Sequence, residues 1–233
     1  MRRATAIILA CLLVLAFPCG ALAAGKATVT QEAFYVRPFT SYFAGEIYAE
    51  VTNTGNKPVV FNGGLVELYN PSGDAIESKN LHSCYPSILA PGESGYFYST
   101  IYVKEATEKS FIDDYALTVT GKAENAKETV RLKATGVYEL FQRSKYSSSQ
   151  TVIATVTNNT PEMLRGLRVV FVLFDGEDKL LYANSTELYS LGVPAGQTLE
   201  VRDTVDSRLV DAWEEDGVVP TRVDIIAYVE REL

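Results

Sequence analysis

The chain has 233 residues, of which 47% are hydrophobic, 21% charged and 11% aromatic, an ordinary globular composition that excludes a disordered or collagen-like chain. A single His and three Cys exclude most histidine-based catalysis and most zinc sites. With 29 acidic against 21 basic side chains the formal charge is −8, which opposes nucleic acid and anionic membrane headgroups as partners.

The first segment reads as an export signal rather than as part of a fold. Arg2 and Arg3 are followed by the apolar run Ala4 to Phe17, and Ala21-Leu22-Ala23 has the small-x-small pattern of a signal-peptidase site. Residues 1–23 are therefore expected to be a signal peptide, cut after Ala23 or Ala24. The apolar run is shorter than the roughly 20 residues a spanning helix needs. Neither Cys11 nor Cys19 is placed like a lipid-modified cysteine. Cleavage removes two arginines and no acid, and leaves Cys84 without a disulfide partner. No second apolar stretch follows near the C-terminus, so no stable membrane span is expected after cleavage. The expected location is secreted, periplasmic or at the cell envelope.

The remainder is patterned for strands. Short runs rich in Val, Ile, Thr, Tyr and Phe alternate with Gly, Pro, Asn and Asp. They predict strands at Ile47–Thr52, Leu65–Tyr69, Tyr96–Val103, Tyr115–Lys122, Thr129–Ala134, Val152–Thr157, Leu167–Phe174 and Arg222–Val229. Helical periodicity is confined to Asp206–Asp216. There Asp206 caps a short helix that buries Leu209, Val210 and Trp213 and stops at Gly217.

A shift of 105 residues lays one part of the chain on another. Ile47-Tyr48-Ala49-Glu50-Val51-Thr52-Asn53 falls on Val152-Ile153-Ala154-Thr155-Val156-Thr157-Asn158, and without a gap Val66-Glu67-Leu68-Tyr69-Asn70 falls on Phe171-Val172-Leu173-Phe174-Asp175. Five pairs between 47 and 70 are identical, where average composition gives about one or two. Period-2 alternation puts Ile47, Ala49 and Val51 on the same face as Val152, Ala154 and Val156. Pro91-Gly92 and Pro194-Ala195-Gly196 mark a turn before a further strand in each copy. The expected architecture is all-β, with two tandem antiparallel β-sandwich domains of about seven strands each and one short helix in the second. The domains are expected at residues 24–135 and 136–233, the Thr129–Ala134 strand closing the first, with Ser144–Gln150 as a mobile polar stretch.

Phe171-Val172-Leu173-Phe174-Asp175, followed by Gly176 and Asp178-Lys179, resembles the signature strand and turn of the FxLYD-type domains, small modules of bacterial exported proteins. Val51–Asn53 and Val156–Asn158 resemble the segment that precedes that strand. The first copy departs from the signature, with Val66 in place of the aromatic and Asn70 in place of the Asp. The resemblance implies an immunoglobulin-like sandwich for each copy and no catalytic residues. At the turn, Asp175 is expected to bond its own backbone and Gly176 to take a positive φ.

Sites for chemistry are scarce. His82 and Cys84 are two apart, and on a strand their Cβ atoms would lie about 6.5–7 Å from one another, too far for a nucleophile–base pair. No Gly-x-Ser-x-Gly elbow occurs. The acidic turn Asp175-Gly176-Glu177-Asp178 lacks the alternating ligands of a calcium loop, and Asp211, Glu214, Glu215 and Asp216 read as the solvated side of the short helix. No catalytic residue, metal site or cofactor is expected. Two strand faces stand out. Tyr96, Tyr98 and Tyr102 share one strand face and are candidate ligand or partner contacts. Val170, Val172 and Phe174 form an apolar outer stripe that the second sheet, the short helix, the other domain or a partner must cover. Together these features point to an exported, non-enzymatic binding protein with a protein partner at the envelope. The alternative is a glycan or cell-wall binding module that uses the Tyr-rich face.

Overall fold

The computed structural model describes residues 25–39, 41–123, 127–144 and 147–232; the expected signal peptide lies outside them. Among the described residues the fold is all-β and sandwich-like, 64% strand with one short α-helix, and every strand pairing is antiparallel. No helix among the described residues is long and apolar enough to cross a membrane.

The N-terminal half contributes β1 (Ala27–Phe39), β2 (Tyr42–Asn53), β3 (Val59–Tyr69), β4 (Ala75–Leu81), β5 (Ile88–Leu89), β6 (Ser94–Val103) and β7 (Asp114–Ala123). They form one sheet in the order β1-β2-β6 and another in which β3 pairs with β4, β5 and β7. Between these sheets Ile47, Ala49 and Val51 pack with Val66, Leu68, Phe97 and Ile101, the alternate positions that period-2 patterning assigns inward. The C-terminal half contributes β8 (Lys127–Ser144), β9 (Ser147–Thr157), β10 (Leu167–Phe174), β11 (Leu180–Leu188), β12 (Thr198–Val205), α1 (Ser207–Glu215) and β13 (Arg222–Glu232), its strands ordered β11-β10-β13-β8-β9-β12.

Strand β8 runs through the expected boundary at residue 135, and its Thr129–Ala134 part pairs with strands of the C-terminal half. Leu132 pairs with Ala227 of β13, and from Lys133 onward the same strand pairs with β9. Gly136 lies so close to β13 that a Cβ there would come within 2.5 Å of Ile225 Cγ1. The polar stretch expected to be mobile runs into β9 from Ser147, and residues 145–146 lie outside the described chain. Helix α1 forms as its sequence predicts. The Asp206 carboxylate accepts the Arg208 amide, Leu209, Val210 and Trp213 are buried, and Gly217 follows in the left-handed region at φ +68°.

Several local geometries recur 105 residues apart. Thr28 faces Thr52 as Lys133 faces Thr157, and Leu65 faces Asn80 as Val170 faces Ser185. The β3–β4 and β10–β11 pairs both bulge at the end of the ladder, at Leu68/Tyr69 and Leu173/Phe174. Asn53 and Asn158 are fully buried. Asn53 Nδ2 donates to the carbonyls of Lys57 and Leu89, and Asn158 Nδ2 to those of Glu162 and Val193. Each side chain ties a loop carbonyl to the carbonyl of a short paired segment, Leu89 of β5 or Val193 bridged to Leu164, and so braces a loop against it.

The turn after each bulge is also shared. Asn70 Oδ1 accepts the amides of Ser72 and Asp74, and Asp175 Oδ1 those of Glu177 and Lys179. The left-handed residue is Gly73 in one turn and Asp178, at φ +61°, in the other. Gly176 was expected to supply it. The fourth position of the turn needs it instead, and Asp tolerates that region better than most residues.

Asn53→Ala and Asn158→Ala each remove two donated hydrogen bonds and the buried side-chain oxygen that accepts loop amides, and are expected to cost about 1–3 kcal/mol, read from urea unfolding. A cost within about 0.5 kcal/mol, the scale of a surface change, would show that water replaces the side chain.

Candidate functional site

Strand β10 is apolar on both faces. Val169, Phe171 and Leu173 alternate with Val170, Val172 and Phe174, and all six are at most 2% exposed. The second trio is covered from the N-terminal half. Strand β11 lies against β1, β2 and β6, and Tyr48 and Tyr96 belong to the same hydrophobic cluster as Val170, Val172 and Phe174, with Ala33, Tyr35 and Tyr85 packed on its margin. The rings of Tyr48 and Tyr182 are 5.3 Å apart. The Tyr-rich face of one half and the apolar outer stripe of the other therefore close the same junction.

This placement corrects one of the three candidate tyrosines. Tyr96 is 6% exposed and its hydroxyl donates to Glu50 Oε1 at 3.1 Å, so its ring is covered and faces no solvent-borne ligand. Tyr98 and Tyr102 remain about half exposed. Tyr102 packs edge-on against Phe39 and Tyr42, which holds its ring upright at the surface.

Polar groups fasten both ends of the junction. At one end the buried Arg37 pairs with Glu46 and, at 3.2 Å, with Asp206 at the N-terminus of α1. Tyr48 Oη donates to the other Glu46 oxygen, and Arg208 donates to the Pro38 carbonyl while its guanidinium covers the Phe39 ring. At the other end the Ser87 amide and hydroxyl both donate to Glu230, Arg131 pairs with Glu93, and Thr129 Oγ1 donates to the Ile88 carbonyl. Between them the Leu180 amide donates to Gln31. Nearby, Asp203 accepts from Tyr182 Oη at 2.7 Å and from Asn184; burial raises its carboxyl above the usual range despite those bonds.

Beside the junction runs a groove with two connected parts, of about 500 and 630 Å³. Both parts are lined by His82, Ser83, Tyr85, Arg168, Glu187 and Tyr189. Arg168 pairs with Glu187 and lies 4.0 Å over the Tyr85 ring, a rigid floor of cation, ring and carboxylate. Tyr98 and Tyr102 stand at one end and Arg165 at the other. Among the described residues seven large hydrophobic side chains are exposed, and three of them, Tyr98, Tyr102 and Tyr189, line this otherwise polar groove. The exposed Met163 lies near Arg165, both within reach of the Cβ position of Gly192.

Sequence reasoning singled out Tyr98 and Tyr102, which line the groove, and did not single out Arg168, Glu187 or Tyr189. One signal was available. Arg168 is the sole charged residue in Leu167–Phe174, and a lone cation in an otherwise buried strand must find a partner.

His82 and Cys84 both border the groove and do different things there. His82 is exposed, whereas Cys84 is fully buried, its sulfur only 2.9 Å from where a Cβ on Gly95 would lie. Burial pushes the thiol well above its ordinary value, which leaves no thiolate to act as a nucleophile. Among the described residues no group of three or more His, Cys, Asp or Glu is placed to hold a metal ion.

No family model matches the chain, and no curated protein matches it. Among solved structures it is similar to the crystal structure of red sea bream transglutaminase, at 11% identity and a TM-score of 0.23. The match covers 88% of this chain and 31% of that one, so the chain spans about a third of that protein's length.

Two measurements check the site. Cys84 is expected to resist iodoacetamide in the native protein and to react at once in denaturant; rapid native labelling would show that the pocket opens. Hydrogen bonds from Arg208, then the charge of Arg37, outweigh partial burial and hold the Asp206 carboxyl down to about 2, so its contribution to stability is complete above about pH 4 and is lost as pH falls toward about 2. Asp206→Ala is expected to cost about 1–2 kcal/mol at neutral pH. The gap to wild type should narrow across that acid range, and a gap that stays constant would remove the charge from the account.

Proposed function

We propose that the chain is an exported, non-enzymatic binding protein that engages a protein partner at the cell envelope through the junction groove. The observation that carries this reading is the gathering of exposed Tyr98, Tyr102 and Tyr189 around a floor of Arg168 and Tyr85. Tyr and Arg are residue types enriched where proteins bind proteins, and apolar groups gathered at one place have a use that scattered ones lack. The groove is open and more polar than apolar, a shape suited to a surface segment more than to an enclosed small molecule.

The architecture we assign is two immunoglobulin-like sandwich domains derived from one duplicated module of the FxLYD type. Support comes from the registers, bulges, turns and buried Asn side chains that recur 105 residues apart. In this reading the division falls between β7 and β8, and residues 1–23 direct export. The buried, high-pKa thiol of Cys84 and the exposure of its neighbour His82 agree with a role outside catalysis.

A photo-crosslinking residue in place of Tyr102 or Tyr189 is expected to give a discrete protein adduct in the native envelope, and one in place of Val219, outside the groove, is not. Combined Tyr102→Ala and Tyr189→Ala should abolish co-purification of that protein. Binding on a glycan array, lost in the same double variant with no protein adduct, would favour the carbohydrate reading. Hydrolase activity dependent on His82 or Cys84 would overturn both.

A further inference from the structure

The groove is bordered by strand edges as well as side chains. Strands β4, β6 and β11 are each terminal in their sheets, and residues of all three line it. The β6 edge is legible residue by residue. Tyr96 exchanges both main-chain hydrogen bonds with Tyr85 at that edge, at 2.7 and 2.8 Å. Main-chain groups of an antiparallel strand alternate in direction, so Tyr98, Thr100 and Tyr102 point theirs to the same side as Tyr96. The Thr100 carbonyl agrees, since it accepts Lys79 Nζ at 3.0 Å across the groove. Beyond Tyr96 no strand among the described residues pairs with this edge. One side chain nearby also lacks a partner. Ser99 lines the groove, is 96% buried, and its hydroxyl makes no hydrogen bond.

Charge distinguishes this place from the rest of the chain. The whole protein carries −8, yet Lys79, Arg165 and Arg168 outnumber Glu187 and Glu230 along the groove, with His82 beside them. Arg168 and Glu187 compensate one another, and Arg165 is exposed at the open end. An anionic ligand is repelled elsewhere and attracted here.

We propose that the edge of β6 from Tyr98 to Tyr102 accepts an extended, acidic segment of a protein partner by strand addition, with Lys79 beside its carboxylates and Arg165 at the far end of the groove adding to the field that attracts it; this rests on the protein-binding reading above. An edge that offers main-chain donors and acceptors at every second residue matches an extended peptide, whose own groups repeat at that spacing. A glycan has no such repeat. The exposed Tyr98 and Tyr102 rings would flank the added strand, and the Tyr85–Tyr96 bridge would stop it at one end.

The test uses the full chain and two fluorescent ten-residue peptides, one alternating Thr and Glu, the other Thr and Lys. The Thr-Glu peptide is expected to bind about tenfold more tightly at low salt and to slow hydrogen exchange at the Tyr98, Thr100 and Tyr102 amides. Thr100→Pro, which removes an outward N–H, and Arg165→Glu, a surface change, should each weaken it by about fivefold or more. Equal binding of the two peptides, binding that leaves those amides unprotected, or no binding at all would overturn the inference. A crosslinked partner that the acidic peptide fails to displace would overturn strand addition while sparing the protein-binding reading; absence of both adduct and peptide binding would sink the two together.

Discussion

A strand that is apolar on both faces cannot sit on the outside of a two-layer structure. Leu167–Phe174 is such a strand, and its outward Val170, Val172 and Phe174 would expose a hydrophobic stripe if the C-terminal half stood alone. Fully burying one such side chain is worth about 1.5–3 kcal/mol, so the stripe presses strongly for a cover. The cover is the outer face of β1, β2 and β6, where Tyr48 and Tyr96 supply large apolar rings and hydroxyls that still reach Glu46 and Glu50. Tyrosine suits this place because its body can be buried while its tip remains hydrogen-bonded.

Apolar contact alone would let two sheet faces slide. The polar fastenings at either end remove that freedom. Arg37, Glu46 and Asp206 form a largely buried charge group, and separating any one of them strands an uncompensated ion. Such groups add little net stability over well-packed apolar residues, but they penalise alternative arrangements heavily. The Ser87–Glu230 and Arg131–Glu93 contacts do similar work in a more hydrated setting. The groove inherits its shape from this restraint. Its walls come from both halves, and a site whose walls are already in place loses less entropy on binding.

The same restraint explains why the exposed aromatic residues are where they are. Strand β6 runs from the covered junction to the open edge, so Tyr96 is buried while Tyr98 and Tyr102 are each about half exposed, the latter packed edge-on against Phe39. One alternating strand thus begins in the covered junction and ends at the exposed groove.

Local patterning was enough for much of this molecule. Strand positions, the capped helix at Ser207–Glu215 and the inward sides of β2 and β9 follow from side chains a few residues apart, because hydrogen-bond direction and alternation are short-range properties. Strands β4 and β11 were illegible for the converse reason: Ala75–Leu81 is mostly exposed and polar, and Leu180–Leu188 mixes polar and apolar residues without a clean period. Tertiary structure decided the rest. Contacts such as Ser87 with Glu230 and Leu180 with Gln31 join residues more than 140 positions apart. No local pattern records which face meets which. Only that meeting buried Tyr96, assigned Thr129–Ala134 to the C-terminal half, and brought Arg168, Glu187 and Tyr189 beside Tyr98 and Tyr102, since burial and partnership belong to pairs of surfaces and not to a single run of side chains.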